Sequence, residues 1–266
     1  MGKVISVTNV KGGVGKSITA LFLSRILSDR GYKTLLIDLD SQNSLTSFFY
    51  DDNNELQDKT IFEVLLGKRD IRDTIKQIGG GLDFIPADIS LSNLTLQLTE
   101  NRDFRLYTAL EHIRGEYDYI LIDTPPSLHI ETKLALVVSN FVIIPTLLEK
   151  WASRSIEIVL SYIKNKNIPM QEIIKVSTEK VFILPTMTEK NRKIQDIVLG
   201  DIKEKYQTML PNGISRKTDI QKLSYIGREV DIKGLDAYSE YADVVNKIAG
   251  RGKAEIKQSE TVAVAN

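Results

Sequence analysis

Residues 9–17 read N-V-K-G-G-V-G-K-S, which gathers two lysines, three glycines and a hydroxyl into nine positions. Glycines at 12, 13 and 15 accept backbone conformations that other residues resist, so successive N–H groups can turn toward one anion. Such a segment between a strand and a helix is a phosphate loop, with the helix N-terminus adding partial positive charge. Lys16 would reach the β- and γ-phosphates of a nucleotide, and Ser17 would offer its hydroxyl to Mg²⁺. The usual pattern G-x-x-x-x-G-K-[ST] fits at Gly15-Lys16-Ser17, but its opening glycine falls on Val10. The contacting set of the cradle is Gly12, Gly13, Val14, Gly15, Lys16, Ser17 and Ile18, because the N–H groups from 12 onward suffice for it. Lys11 is left over. It is either a solvated loop lysine or a second cation that stabilises charge on a transferring phosphoryl group.

Two acidic stretches accompany the loop. Residues 38–46 read D-L-D-S-Q-N-S-L-T, which puts Asp38 and Asp40 just beyond a predicted strand, where open α/β sheets bind ligands. The lesser alternative for Asp40 is a helix cap. Residues 119–127 read Y-I-L-I-D-T-P-P-S, an apolar strand ending in Asp123. That is the Walker B arrangement, in which the carboxylate holds Mg²⁺ or its water. Pro125 and Pro126 stiffen the turn that follows.

The elements needed to position these residues are legible as alternating patterns. Near-continuous apolar runs at 4–7, 34–37, 82–85, 119–122, 141–144 and 181–184 predict parallel strands buried on both faces. Helices are predicted over 17–30, closed by Gly31, and over 104–114, 130–138, 152–164, 189–206 and 235–248. The fold class is α/β: a doubly wound, mostly parallel sheet flanked by helices. A single nucleotide-binding domain is expected over 1–250, followed by a frayed tail over 251–266. With the first strand starting at once, no preceding DNA-reading domain is expected.

Composition narrows the function. Lys plus Arg and Asp plus Glu are balanced at 35 each, so nucleic-acid binding would need a local basic patch. Without cysteine there are no disulfides, thiolate metal sites or iron–sulfur clusters, which fits a cytoplasmic protein. No apolar stretch is long enough to span a membrane. His112 and His129 are too far apart for a metal motif, and Trp151 is expected to pack.

K-G-G-V-G-K-S resembles the deviant phosphate loop of the ParA/MinD family of ATPases. The resemblance implies that Lys11 reaches across a nucleotide-sandwich homodimer to the other subunit's phosphates, while Lys16 acts in its own site. D-L-D-S-Q-N is similar to the family's D-x-D-P-Q-G stretch, with Ser41 and Asn43 in place of proline and glycine. Asp40 would then position the attacking water and join Ser17 and Asp123 around the metal. Pro145 and Glu149 match the family's fifth-strand exit. Thr186, Met187 and Arg216 would lie on the adenine side. ATP and Mg²⁺ are the implied cofactors.

ParA proteins partition DNA, so the resemblance further implies ATP-dependent, non-specific binding to double-stranded DNA, nucleoid association, and slow hydrolysis stimulated by a ParB-like partner. Lys190, Arg192 and Lys193, then Lys203 and Lys205, then Lys217, Lys222 and Arg228 form the candidate DNA-binding stripe. The bland reading is a charged solvated face. The alternative within the family is a MinD-like positioning ATPase held on a membrane. The last helical segment is acidic, and the tail lacks the lysine-and-apolar mix of a membrane-surface helix, so no membrane is expected. A small-molecule synthetase on the same phosphate loop is the third class. The iron-protein branch is excluded by the missing cysteines.

Overall fold

Within each central strand, alternate side chains go to opposite faces of the sheet. Val4, Leu35, Ile37, Ile120 and Ile122 enter one apolar core, while Ile5, Val7, Leu36 and Leu121 enter the other. A strand buried on both sides must be apolar at both parities, which is why the sequence shows runs rather than alternation. The computed structural model describes residues 2–50, 56, 58–98, 102–164, 180–210, 213–220, 223, 227 and 231–249.

Seven strands form one sheet: β1 (Lys3–Val7), β2 (Thr34–Asp38), β3 (Lys76–Gly79), β4 (Leu82–Ile85), β5 (Tyr119–Asp123), β6 (Phe141–Leu147) and β7 (Val181–Thr186). Their spatial order is β3-β4-β2-β5-β1-β6-β7, and every pair is parallel except β3 with β4. The helices are α1 (Lys16–Asp29), α2 (Ser44–Phe49), α3 (Ile61–Leu65), α4 (Leu94–Gln97), α5 (Arg105–Glu111), α6 (Ile130–Val138), α7 (Ala152–Lys164), α8 (Lys193–Lys205) and α9 (Ala237–Ala249). One face is covered by α3, α5 and α6, the other by α1 and α9, and a third apolar cluster packs α7 and α8 on β6 and β7.

The register matters most for function. Val7 and Asp38 each pair with Asp123 on β5, so β1, β2 and β5 end level with one another. Three loops therefore leave the sheet from one row at its carboxyl edge.

The doubly wound, mostly parallel sheet agrees with the sequence reading, with three differences. β3 forms an antiparallel edge hairpin with β4, turning through Gly79, Gly80 and Gly81, all at positive φ; the triple glycine was its signal. α2 and α3 are too short to give a helical period. The helix expected from 189 starts at Lys193, because Asn191 lies in the left-handed region at φ 63. Gly31, at φ 83, ends α1 as its position implied.

Candidate nucleotide-binding site

The loop between β1 and α1 is held from several sides. Asn9 Nδ2 donates to the Pro145 carbonyl at 2.7 Å, and Asn9 Oδ1 accepts the Lys11 N–H at 3.0 Å. Thr186 Oγ1 donates to the Val14 carbonyl at 2.9 Å, which ties the loop to the end of β7. Gly13 and Gly15 have φ values of 71 and 86, and a Cβ on either would meet nothing within 4 Å. Left-handed backbone facing open space is what an anion cradle needs. No side chain caps α1, and its first turn carries no acidic residue, so that turn's N–H groups remain available to a ligand.

Lys16 is buried, and its Nζ donates to the Lys11 carbonyl at 3.2 Å. Burial lowers its pKa, while Asp123 and Asp40 pull the other way. Lys11 behaves differently. Its ammonium pairs with Glu149, on the half-exposed rim beyond β6.

Asp123 is fully buried, and neither carboxylate oxygen has a hydrogen-bond partner among the described residues. Its pKa stands well above the usual carboxylate range, chiefly from burial and then from nearby Asp38; the Ser17 hydroxyl opposes this without completing a well-formed hydrogen bond. A buried carboxylate beside the Ser17 hydroxyl fits a hard cation. Mg²⁺ takes few protein ligands and keeps waters and phosphate oxygens. Among the described residues, no cluster of three or more His, Cys, Asp or Glu is placed to hold a metal by itself. Ser17 and Asp123 would hold the ion, which when bound neutralises phosphate charge.

Asp40 is buried, with its Oδ1 accepting the Gln42 N–H at 2.9 Å and its carbonyl accepting from Asn43. Asn43 sits at φ 55, a left-handed position suited to glycine and tolerated by asparagine, so the departure from glycine costs little. Asp38 is also fully buried, and burial raises its pKa to about 6 against the hydrogen bonds it accepts.

Of these groups, Gly13, Gly15, Lys16, Ser17 and Asp40 line a cavity of ≈ 660 Å³, whereas Lys11, Asp38 and Asp123 are not among its lining residues. Its floor is Gly12, Gly13, Gly15, Lys16 and Ser17, with Asp40 and Pro126 on one side. Sequence reasoning missed the α2 wall, Ser44, Leu45, Ser47 and Phe48, because apolar and small residues there carry no chemical signature. Ile18 and Met187 also line it, and Met187 adopts φ 52. Thr186 spends its hydroxyl on the loop. Arg216 is not among the lining residues; its guanidinium bonds Glu189 at 2.8 Å.

The basic residues fall into two sets. Arg192 shares Glu189 with Arg216, Lys205 pairs with Glu157, and Lys217 lies 3.4 Å from Asp236. Lys190, Lys193 and Lys203 are exposed, with no ion pair among the described residues. Lys222, Arg228 and the 251–266 tail lie outside the described residues. Trp151, expected to pack, is 60% exposed beneath the Lys150 ammonium. No helix of the described residues is long and apolar enough to cross a membrane.

A nucleotide-sized cavity floored by a glycine-rich loop with Lys16 and Ser17, close to a buried carboxylate without a hydrogen-bond partner among the described residues, is the arrangement of a P-loop ATPase site. Comparisons with known proteins agree. A family profile described as an AAA domain matches residues 2–176. The chain is 32% identical over 218 residues to the Sporulation initiation inhibitor protein Soj of Bacillus subtilis, covering 80% of this chain and 86% of that one. It is 30% identical over 251 residues to the Chromosome partitioning protein ParA of Caulobacter vibrioides, covering 90% and 92%. Among solved structures it resembles a putative plasmid partition protein from Borrelia burgdorferi bound to AMPPNP, with TM-score 0.81, 33% identity, and 93% and 98% coverage. It also resembles cobyrinic acid a,c-diamide synthase from Mycobacterium smegmatis with bound ATP analogue and magnesium, with TM-score 0.74, 28% identity, and 95% and 98% coverage. The chain belongs to the ParA/MinD family of deviant phosphate-loop ATPases.

Proposed function

We propose that this chain is a DNA-partition ATPase whose ATP-bound form is a homodimer enclosing two nucleotides. The observation that carries this reading is the split between the two lysines. Lys16 sits buried over the cradle, whereas Lys11 leans on Glu149 at the rim. A second cation held at the rim is placed to stabilise phosphoryl charge in a subunit that docks across the loop.

In the proposed cycle, Lys16 and the N–H groups from Gly12 to Ile18 hold the phosphates. Ser17 and Asp123 hold Mg²⁺, and Asp40 orients the attacking water. Lys11 stabilises phosphoryl charge in the facing subunit. Met187 borders the base, and Thr186 keeps the loop seated beneath it. Hydrolysis is slow, and a ParB-like partner speeds it. DNA contact is assigned to the exposed Lys190, Lys193 and Lys203, reinforced by Arg192, Lys205 and Lys217 and, outside the described residues, by Lys222 and Arg228. Lys193 and Lys203 lie about 15 Å apart along α8 at helical rise, enough to meet several phosphates. The names of the ParA and plasmid-partition relatives favour DNA segregation over membrane positioning or small-molecule synthesis. Localisation would be cytoplasmic, on the nucleoid.

The test is a mass measurement with a non-hydrolysable ATP analogue, paired with DNA titration at two salt concentrations. Two chains with two nucleotides, binding DNA more weakly as salt rises, are expected. A monomer under saturating nucleotide, or DNA binding indifferent to nucleotide, would overturn the proposal.

A further inference from the structure

Asp38 closes β2, and each of its carboxylate oxygens holds a different part of the chain that follows. Oδ1 accepts the Asp40 N–H at 3.0 Å. Oδ2 accepts both the Thr46 N–H, at 3.0 Å, and the Thr46 hydroxyl, at 2.9 Å. The same hydroxyl accepts the Ala87 N–H at 2.9 Å, just beyond β4. One residue earlier, the Pro86 carbonyl accepts the N–H of Ile61, the first residue of α3. Asp38, Thr46 and Ala87 are all fully buried, so each of these bonds replaces hydration that the interior cannot supply.

This brace spans the segment that carries Asp40. At one end the Asp40 backbone is fastened to Asp38; at the other, α2 is fastened to the same carboxylate through Thr46. Between them, Ser41 leaves the turn without a ring to lock φ, so its stiffness depends on these acceptors. The α2 residues next to Thr46, Leu45 and Ser47, line the nucleotide cavity. A single buried carboxylate therefore sets both the Asp40 backbone and one wall of the cavity.

We infer that Asp38 and Thr46 are positioning residues for ATP hydrolysis, which hold the Asp40 backbone and the α2 wall in one register through the hydroxyl bridge to Ala87. The inference rests on the proposed role of Asp40. Neither residue touches substrate; both act through the placement of Asp40.

Thr46→Val removes the hydroxyl at nearly constant volume, and Thr46→Ser retains it. Basal hydrolysis, affinity for a fluorescent ATP analogue and the thermal midpoint are measured on the full chain. Displacing a catalytic group by about 1 Å can cost roughly 100-fold. Thr46→Val is therefore expected to lower kcat roughly 10- to 100-fold, with nucleotide Kd within about threefold of the parent. Thr46→Ser is expected to recover kcat to within about threefold. Asp38→Asn keeps the volume and one acceptor oxygen; it serves if Thr46→Val does not fold, and the same split is expected. Loss of kcat and affinity together, in step with a lowered midpoint and without rescue by serine, would reduce the brace to a stability element and overturn the inference. Asp40→Ala separates the two levels. If Asp40→Ala is inactive while folded Thr46→Val turns over normally, only the positioning role fails. If Asp40→Ala turns over normally, the role of Asp40 fails and takes this inference with it.

Discussion

Replacing Lys11 by alanine separates what this residue does for one chain from what it does for two. In one chain its ammonium pairs with Glu149, and the two side chains are 37% and 54% exposed. An exposed ion pair of this kind is worth about 0.2–1 kcal/mol, because water screens the charges and both chains lose freedom. For a chain of this size that corresponds to at most about 4 °C in thermal midpoint. The cradle itself is backbone plus Lys16, so affinity for ATP in the monomer should stay within a few-fold of the parent. The dimer is different. A hydrogen bond to a charged group is worth about 1.5–3 kcal/mol, and two-fold symmetry makes the loss twice, or about 3–6 kcal/mol. Dimer dissociation with a non-hydrolysable ATP analogue should therefore weaken by roughly 10²- to 10⁴-fold. Sedimentation velocity across a protein dilution series reads this directly. A Lys11→Ala protein that dimerises over the parental concentration range would refute the trans role. A midpoint lowered by much more than the ion pair allows would instead make Lys11 structural.

Three further outcomes are expected. Lys16→Ala should abolish nucleotide-induced stabilisation in a thermal shift while leaving the apo midpoint near the parent's, since charging this buried amine is disfavoured without phosphate. Between about pH 4 and about 6, Asp38 and Asp123 should contribute a negative slope to the unfolding free energy of the apo protein against pH, because both hold protons in the folded state that the unfolded chain has already released. Asp123→Asn should remove its share of that negative slope in urea titrations across the range, and a slope identical to the parent's would contradict the assignment. Finally, Lys190→Ala with Lys203→Ala should weaken ATP-dependent DNA binding uniformly across sequences and reduce its salt slope by about 2; an unchanged slope would remove both residues from the interface.

Much of the site is written in local sequence. The glycine spacing, Lys16 and Ser17 belong to one short segment whose shape follows from backbone freedom, and the strand ending in Asp123 follows from an apolar run meeting a carboxylate. The buried parallel strands were legible for the same reason: a strand covered on both faces must be apolar at every position. Short elements were not legible. α2 spans six residues, too few for a period to show, yet it forms a wall of the cavity. The edge hairpin had only its three glycines to announce it. Arg216 illustrates the opposite limit: a matching residue in a motif says nothing about Glu189, 27 positions earlier, which captures its guanidinium.

The sequence alone determined the class of chemistry, because loop glycines, a buried lysine and strand-end aspartates are set by neighbours a few residues away. Tertiary structure decided everything that depends on distant segments meeting. It brought Val7, Asp38 and Asp123 into one register, tied Thr186 to Val14 and Asn9 to Pro145, and joined Asp38, Thr46 and Ala87 into a brace. It also gave Lys11 its present partner in Glu149, which lies 138 residues away in sequence. Hydrogen bonds across such separations form only when the sheet has fixed the strand order, and strand order is a property of the whole fold.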